Sequence, residues 1–157
     1  MRAKVLVGLL VVSTVAAFPV RAQSAVQCMT PPEACAFLNT FLSALNQRNW
    51  PAFRATLADD ISVVFDSPAL PGRRDGRAAV EEAFARIFPS PDQPATQLPP
   101  PVQPENLLVQ DFGDVVIISF QLTGPDSVSR RTLVFHRSPI GWRVVHIHGS
   151  SVARPAR

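Results

Sequence analysis

The sequence predicts an α+β domain in which N-terminal helices pack on one face of an antiparallel β-sheet. Three observations carry this. Apolar residues recur at three- and four-residue spacing over residues 31–49 and 76–88. The last third is a series of β-branched runs separated by short turn signals, Gly124-Pro125-Asp126 and Ser138-Pro139-Ile140-Gly141. Helical periodicity first and strand pattern afterwards is the order expected of helices layered on an antiparallel sheet.

Before the elements comes a leader. Arg2 and Lys4 precede 14 apolar or small residues, Val5 to Phe18, and Val20-Arg21-Ala22 suits a signal peptidase, with cleavage expected before Gln23. The apolar run is too short to span roughly 30 Å of hydrocarbon, and SAVQC before Cys28 lacks the small-residue box of a lipidated cysteine. An exported, periplasmic or secreted protein with no membrane anchor is the expectation. Residues 1–22 are then signal peptide, 23–32 a lead-in carrying Cys28, 33–152 the domain and 153–157 a tail.

Removing the leader leaves 135 residues, enough for one domain with its own core. It also takes Arg2, Lys4 and Arg21, so 15 basic residues become 12 against 12 acidic ones. With charge balanced, neither nucleic acid nor a membrane surface is an expected partner. The 12 remaining basic residues are all arginine, which excludes Schiff-base chemistry on lysine, and the chain has no tyrosine.

Thr30 to Glu33 reads as a capping box with proline opening the helix, which places Cys35 in an early turn and Cys28 just outside it. In an exported protein the pair is expected to form a disulfide. Ala34, Phe37, Leu38, Phe41, Leu42 and Leu45 give the first helix its apolar stripe. Asn49 or Trp50 caps a second, shorter helix. Ile61 to Phe65 is a short strand ending at Asp66-Ser67-Pro68, and residues 69–76 form a turn-rich connection. The third helix runs from Gly76 to Phe88. Residues 90–105 contain six prolines and form a long loop. The remaining strands are expected near residues 107–109, 115–122, 130–136 and 142–150.

Pairing across the last turn sets Arg137 opposite Trp142, Phe135 opposite Val144, Leu133 opposite His146 and Arg131 opposite His148. That face grades from apolar Trp142, Phe135, Val144 and Leu133 to a polar end of His146, Arg131 and His148. The other face carries His136, Arg143, Val134, Val145, Thr132 and Ile147 and is a candidate homodimer surface. A one-residue slip would exchange the faces. Two histidines one residue apart can chelate a metal, but this register gives them no third ligand, so no metal and no cofactor is expected. Satisfied structural histidines and pocket-lining histidines both remain open.

The segments LADDISVVFDSPALPGRRDGRAAVEEAFARIF, FGDVVIISF and RRTLVFHRSPIGWRVVHIHGSS, in that order, resemble the SnoaL-like branch of the nuclear transport factor 2-like superfamily. The C-terminal part is also similar to the association domain of calcium/calmodulin-dependent kinase II. The resemblance implies a cone of three helices on a curved sheet, a pocket inside it, and dimers through the outer sheet face. It also implies a choice of functions. One is binding of a small, largely apolar molecule by Trp142, Phe135, Val144, Leu133, Arg131 and Phe120. Another is an isomerase or polyketide cyclase with Asp66 as general base and His146 or His148 as electrophile, the tyrosine of ketosteroid isomerase-like relatives being absent. The third is a homo-oligomeric structural module without catalysis.

Overall fold

The computed structural model describes residues 28, 30–66, 72–85 and 100–154. The expected leader, the Ser67-Pro68 turn, the end of the third helix and most of the proline-rich loop lie outside them. Helix α1 (Pro32–Asn46) is followed by α2 (Trp50–Ala55), β1 (Leu57–Phe65), β2 (Arg73–Asp75) and α3 (Arg77–Ala85). Strands β3 (Glu105–Asp111), β4 (Val115–Thr123), β5 (Ser127–Ser138) and β6 (Gly141–Ala153) complete one six-stranded sheet, ordered β2-β1-β6-β5-β4-β3.

Two features depart from the expected architecture. Arg73–Asp75 is a short edge strand, antiparallel to β1, where only turns were read. Strand β1 pairs with β6 in parallel, so the sheet is mixed. The segment after β1 is long enough that no hairpin forces antiparallel pairing.

The N-terminus of α1 is also built differently from the expected capping box. The cap falls on Pro31, with no side-chain hydrogen bond, and Pro32 begins the helix where a missing N–H costs nothing. The Cys28–Cys35 disulfide forms as expected, with Cα atoms 5.3 Å apart. Glu33 in the first turn pairs with Arg137 on β5 (2.9 Å), and the Arg137 guanidinium lies 5.8 Å from the centroid of the Trp142 ring. This ties the start of α1 to the last hairpin. Asn49 caps α2 as expected, its side-chain oxygen accepting from Ala52 N–H at 3.1 Å.

The core lies between α1, α2 and α3 and the concave sheet face. Leu38, Phe53, Leu57, Ile61, Val80, Val116, Ile118, Phe135 and Val144 are all fully buried there. Phe37 of α1 meets Phe135 edge-on with centroids 4.9 Å apart. Among the described residues no helix is long and apolar enough to cross a membrane.

Candidate functional site

The site depends on where β6 changes face. Arg137 pairs with Trp142 and Phe135 with Val144, as the turn predicts. The next partner of β5, Val134, pairs with His146, so Val145 is an extra residue on β6. This is a β-bulge, which lets two successive residues oppose one and shifts the alternation beyond it. Strand β1 is irregular at the same level: Leu57 pairs with Val144 and Ser62 with His146.

Beyond the bulge the expected faces are exchanged. Leu133 opposes Ile147 and Arg131 opposes Gly149, and these four look inward. His146 shares the outer face with Val134 and Ser62, and His148 with Thr132 and Val64. Ile147, assigned by the simple register to the outer face, is buried. His146 Nδ1 lies 2.8 Å from Ser62 Oγ. Burial, with a smaller contribution from the charge of His148, pushes the His146 imidazole below its ordinary pKa. His148 is exposed. Neither histidine lines the cavity.

The cavity, about 280 Å³, opens between α1 and the inner sheet face. Helix α1 contributes Phe41, Leu42 and Leu45, with Arg48 just after it. Phe65 ends β1 and Phe84 comes from α3; Phe120 and Leu122 lie on β4, Arg131 and Leu133 on β5, and Ile147 on β6. Pro100 and Val102 form the remaining described wall. Asn46 at the end of α1 secures that wall. Its amide donates to Val102 carbonyl oxygen (3.0 Å) and its side-chain oxygen accepts from Val102 N–H (2.7 Å), as a strand neighbour would.

Of the sequence-predicted ligand residues, Leu133, Arg131 and Phe120 line the cavity. Trp142, Phe135 and Val144 face inward but lie on the other side of the bulge, packed as solid core rather than cavity wall. Asp66 is exposed and outside the described lining; its backbone N–H donates to Gly149 carbonyl oxygen at 3.0 Å. The α1 residues were legible in the sequence as a helix stripe, but the pattern does not separate core from cavity wall. Phe65 and Ile147 carried no separate signal.

Arg131 is the polar feature of β5 within this wall. Its Nη1 donates to the carbonyl oxygens of Arg130 (2.9 Å) and Ser150 (3.4 Å), and its guanidinium sits 5.6 Å from the centroid of the Phe65 ring. Burial pushes its pKa below the ordinary arginine value, although a guanidinium stays charged in proteins. Gly149 makes this seat possible: a Cβ there would fall 2.5 Å from Phe65 Cδ1 and 3.0 Å from Arg131 Nη1.

Helices over a curved sheet, with a lined hollow between them, define a cone-shaped α+β pocket domain. A model of the SnoaL-like domain matches residues 35–155, and the chain belongs to that family. Its fold is similar to that of many solved structures, three of which illustrate the likeness. A cystatin-like fold protein from Burkholderia xenovorans is 21% identical, with 78% of this chain and 92% of that one covered and a TM-score of 0.62. An NTF2-like protein of unknown function from Pseudomonas putida is 20% identical, with 75% and 83% covered and a TM-score of 0.60. A calcium/calmodulin-dependent kinase II hub from S. rosetta is 20% identical, with 81% and 100% covered and a TM-score of 0.60. No curated protein sequence matches the chain.

Proposed function

We propose that the protein is an exported SnoaL-like domain that binds a small, largely apolar molecule in the cavity between α1 and the sheet. The observation that carries this is the hollow itself: about 280 Å³ walled mostly by aliphatic and aromatic side chains, with Arg48 also in the wall and Arg131 placed to orient a polar group. The volume lies at the lower edge of the roughly 300–1,000 Å³ usual for ligand sites, which favours a single ring or short chain over a polycyclic molecule.

Isothermal calorimetry with 2-phenylethanol tests the reading. The protein is expected to bind it, and Leu133→Trp, which places an indole in the hollow, is expected to remove binding while the fold is retained. Binding unchanged in that variant would exclude the cavity as the site.

Homodimerisation through the outer sheet face is part of the same proposal. Leu108 is 55% exposed there, opposite Ser119 and on the same face as Ile117 and Val134. Sedimentation at micromolar concentration is expected to give a dimer, and a monomer would remove this part. An isomerase or cyclase using Asp66 as base is the runner-up. It gains little support from an exposed carboxylate in a chain without tyrosine.

A further inference from the structure

We infer that the cavity ligand is a carboxylic acid, held by Arg131 through its carboxylate and by the apolar wall through a ring or short chain. The inference rests on the cavity reading above and adds the chemistry of the head group.

Arg131 differs from several other arginines of the chain in what it lacks. Several arginines have carboxylate partners: Arg54 pairs with Glu81 (2.6 Å), Arg73 with Asp75 (2.8 Å) and Arg137 with Glu33 (2.9 Å), while others lie in the open. Arg131 stands in an apolar wall between Phe65 and Leu133, and among the described residues no carboxylate pairs with it. Arg131 is half-buried, and a cation partly withdrawn from water gains when an opposite charge meets it. The protein supplies two carbonyl oxygens, and both go to Nη1. Nε and Nη2, which together form one straight edge of the guanidinium, have no hydrogen-bond partner among the described residues.

That edge carries two parallel N–H donors, the spacing a planar carboxylate accepts in a bidentate pair. Its orientation is fixed before any ligand arrives. Nη1 is tethered to β5 and β6, the Phe65 ring lies beside the guanidinium, and the absent Cβ of Gly149 leaves room for both. Little rotamer freedom is left to lose on binding. The adjoining wall of Leu133, Phe120 and Leu122 is apolar, so a bare anion would leave most of the hollow unfilled.

Calorimetry with a matched set at pH 7.5 tests this: phenylacetate, 2-phenylethanol, phenylacetamide and acetate. Phenylacetate is expected to bind at least about tenfold more tightly than the alcohol or the amide, as charge-assisted hydrogen bonds should. Acetate is expected to bind weakly, lacking the ring. Arg131→Gln should lower phenylacetate affinity about tenfold or more and lower that of the alcohol by a clearly smaller factor, and Arg131→Lys should keep phenylacetate affinity only in part. Alcohol binding as tight as acid binding in the unaltered protein, a comparison that needs no variant, would overturn the carboxylate while leaving the cavity reading intact. Phenylacetate affinity indifferent to Arg131→Gln would do the same. Absence of binding by both ring compounds would overturn the cavity reading and this inference together.

Discussion

Gly149 and Phe65 face each other across the parallel β1–β6 pair so closely that a Cβ on Gly149 would lie 2.5 Å from the Phe65 ring. No side-chain Cβ survives that approach without displacing the ring, and the strand backbone holds Gly149 in place. The contact therefore makes glycine a requirement of the cavity wall rather than of the local backbone conformation.

The consequence is specific. Gly149→Ala should push Phe65 toward the hollow and disturb the Arg131 seat, whose Nη1 would be 3.0 Å from the new carbon. Overpacking of this kind costs roughly 1–3 kcal/mol. Urea unfolding should show that loss, and affinity for phenylacetate should fall more than affinity for 2-phenylethanol. An alanine variant as stable as the parent, with unchanged binding, would show that Phe65 has room to move.

The Cys28–Cys35 disulfide closes a short loop at the start of α1, with a sequence separation of 7. On the chain-entropy account such a loop contributes about 2.5 kcal/mol. Cys28→Ser with Cys35→Ser should lower the urea midpoint accordingly, with little effect on cavity binding, because the bridge lies at the opposite end of α1 from Leu45 and Arg48. An equal loss of ligand affinity would mean that the start of α1 is coupled to the cavity.

His146 gives the protein a pH-dependent component of stability. Its folded pKa lies below the ordinary histidine value, so the unfolded chain binds the proton more readily in the interval between the two. Stability from this group is complete above the unfolded pKa, near ~6.5, and is lost as pH falls from there toward the folded value. The melting temperature should therefore decline on acidification through that interval, and His146→Gln should flatten the decline. Ligand affinity should not follow the same curve, since His146 faces Ser62 on the outer surface. A His146→Gln variant with the parental pH profile would place the response elsewhere.

How far the sequence reaches can be judged on β6 alone. Its turn chemistry sets the Arg137–Trp142 and Phe135–Val144 pairs correctly, because a Ser-Pro-Ile-Gly turn fixes hairpin register locally. The alternation fails one residue later, at Val145, where nothing in Val144-Val145 marks a bulge. Two β-branched residues read as ordinary strand, and bulges that carry no glycine leave no compositional trace. From that one error follow the misplaced histidines and the exposed assignment of Ile147. Arg131 and Leu133 were placed on the correct face because they lie on the regular strand, β5. The helix stripe of α1 was equally legible, but the hollow beneath it depends on how far sheet and helix separate, which no periodicity encodes.

The bulge itself can be tested by deletion, because it makes neighbouring residues unequal. Removing Val145 should leave Val144 inward, His146 outward, Ile147 inward and Gly149 inward, since simple alternation then reproduces the observed faces. The cost is confined to local sheet curvature and to the matching irregularity of β1 between Leu57 and Ser62. Removing Ile147 instead keeps the bulge but turns His148 into the cavity wall and Gly149 outward. It deletes a buried isoleucine, a loss of about 2–5 kcal/mol by analogy with truncation to alanine, and sets an imidazole between Leu133 and Val63 and a serine opposite Phe65. The Val145 deletion should fold with a reduced melting temperature and retain measurable phenylacetate binding, whereas the Ile147 deletion should lose both fold and binding. Equal stability of the two deletions would mean that β6 slides freely along β5 and that its histidines have no fixed side.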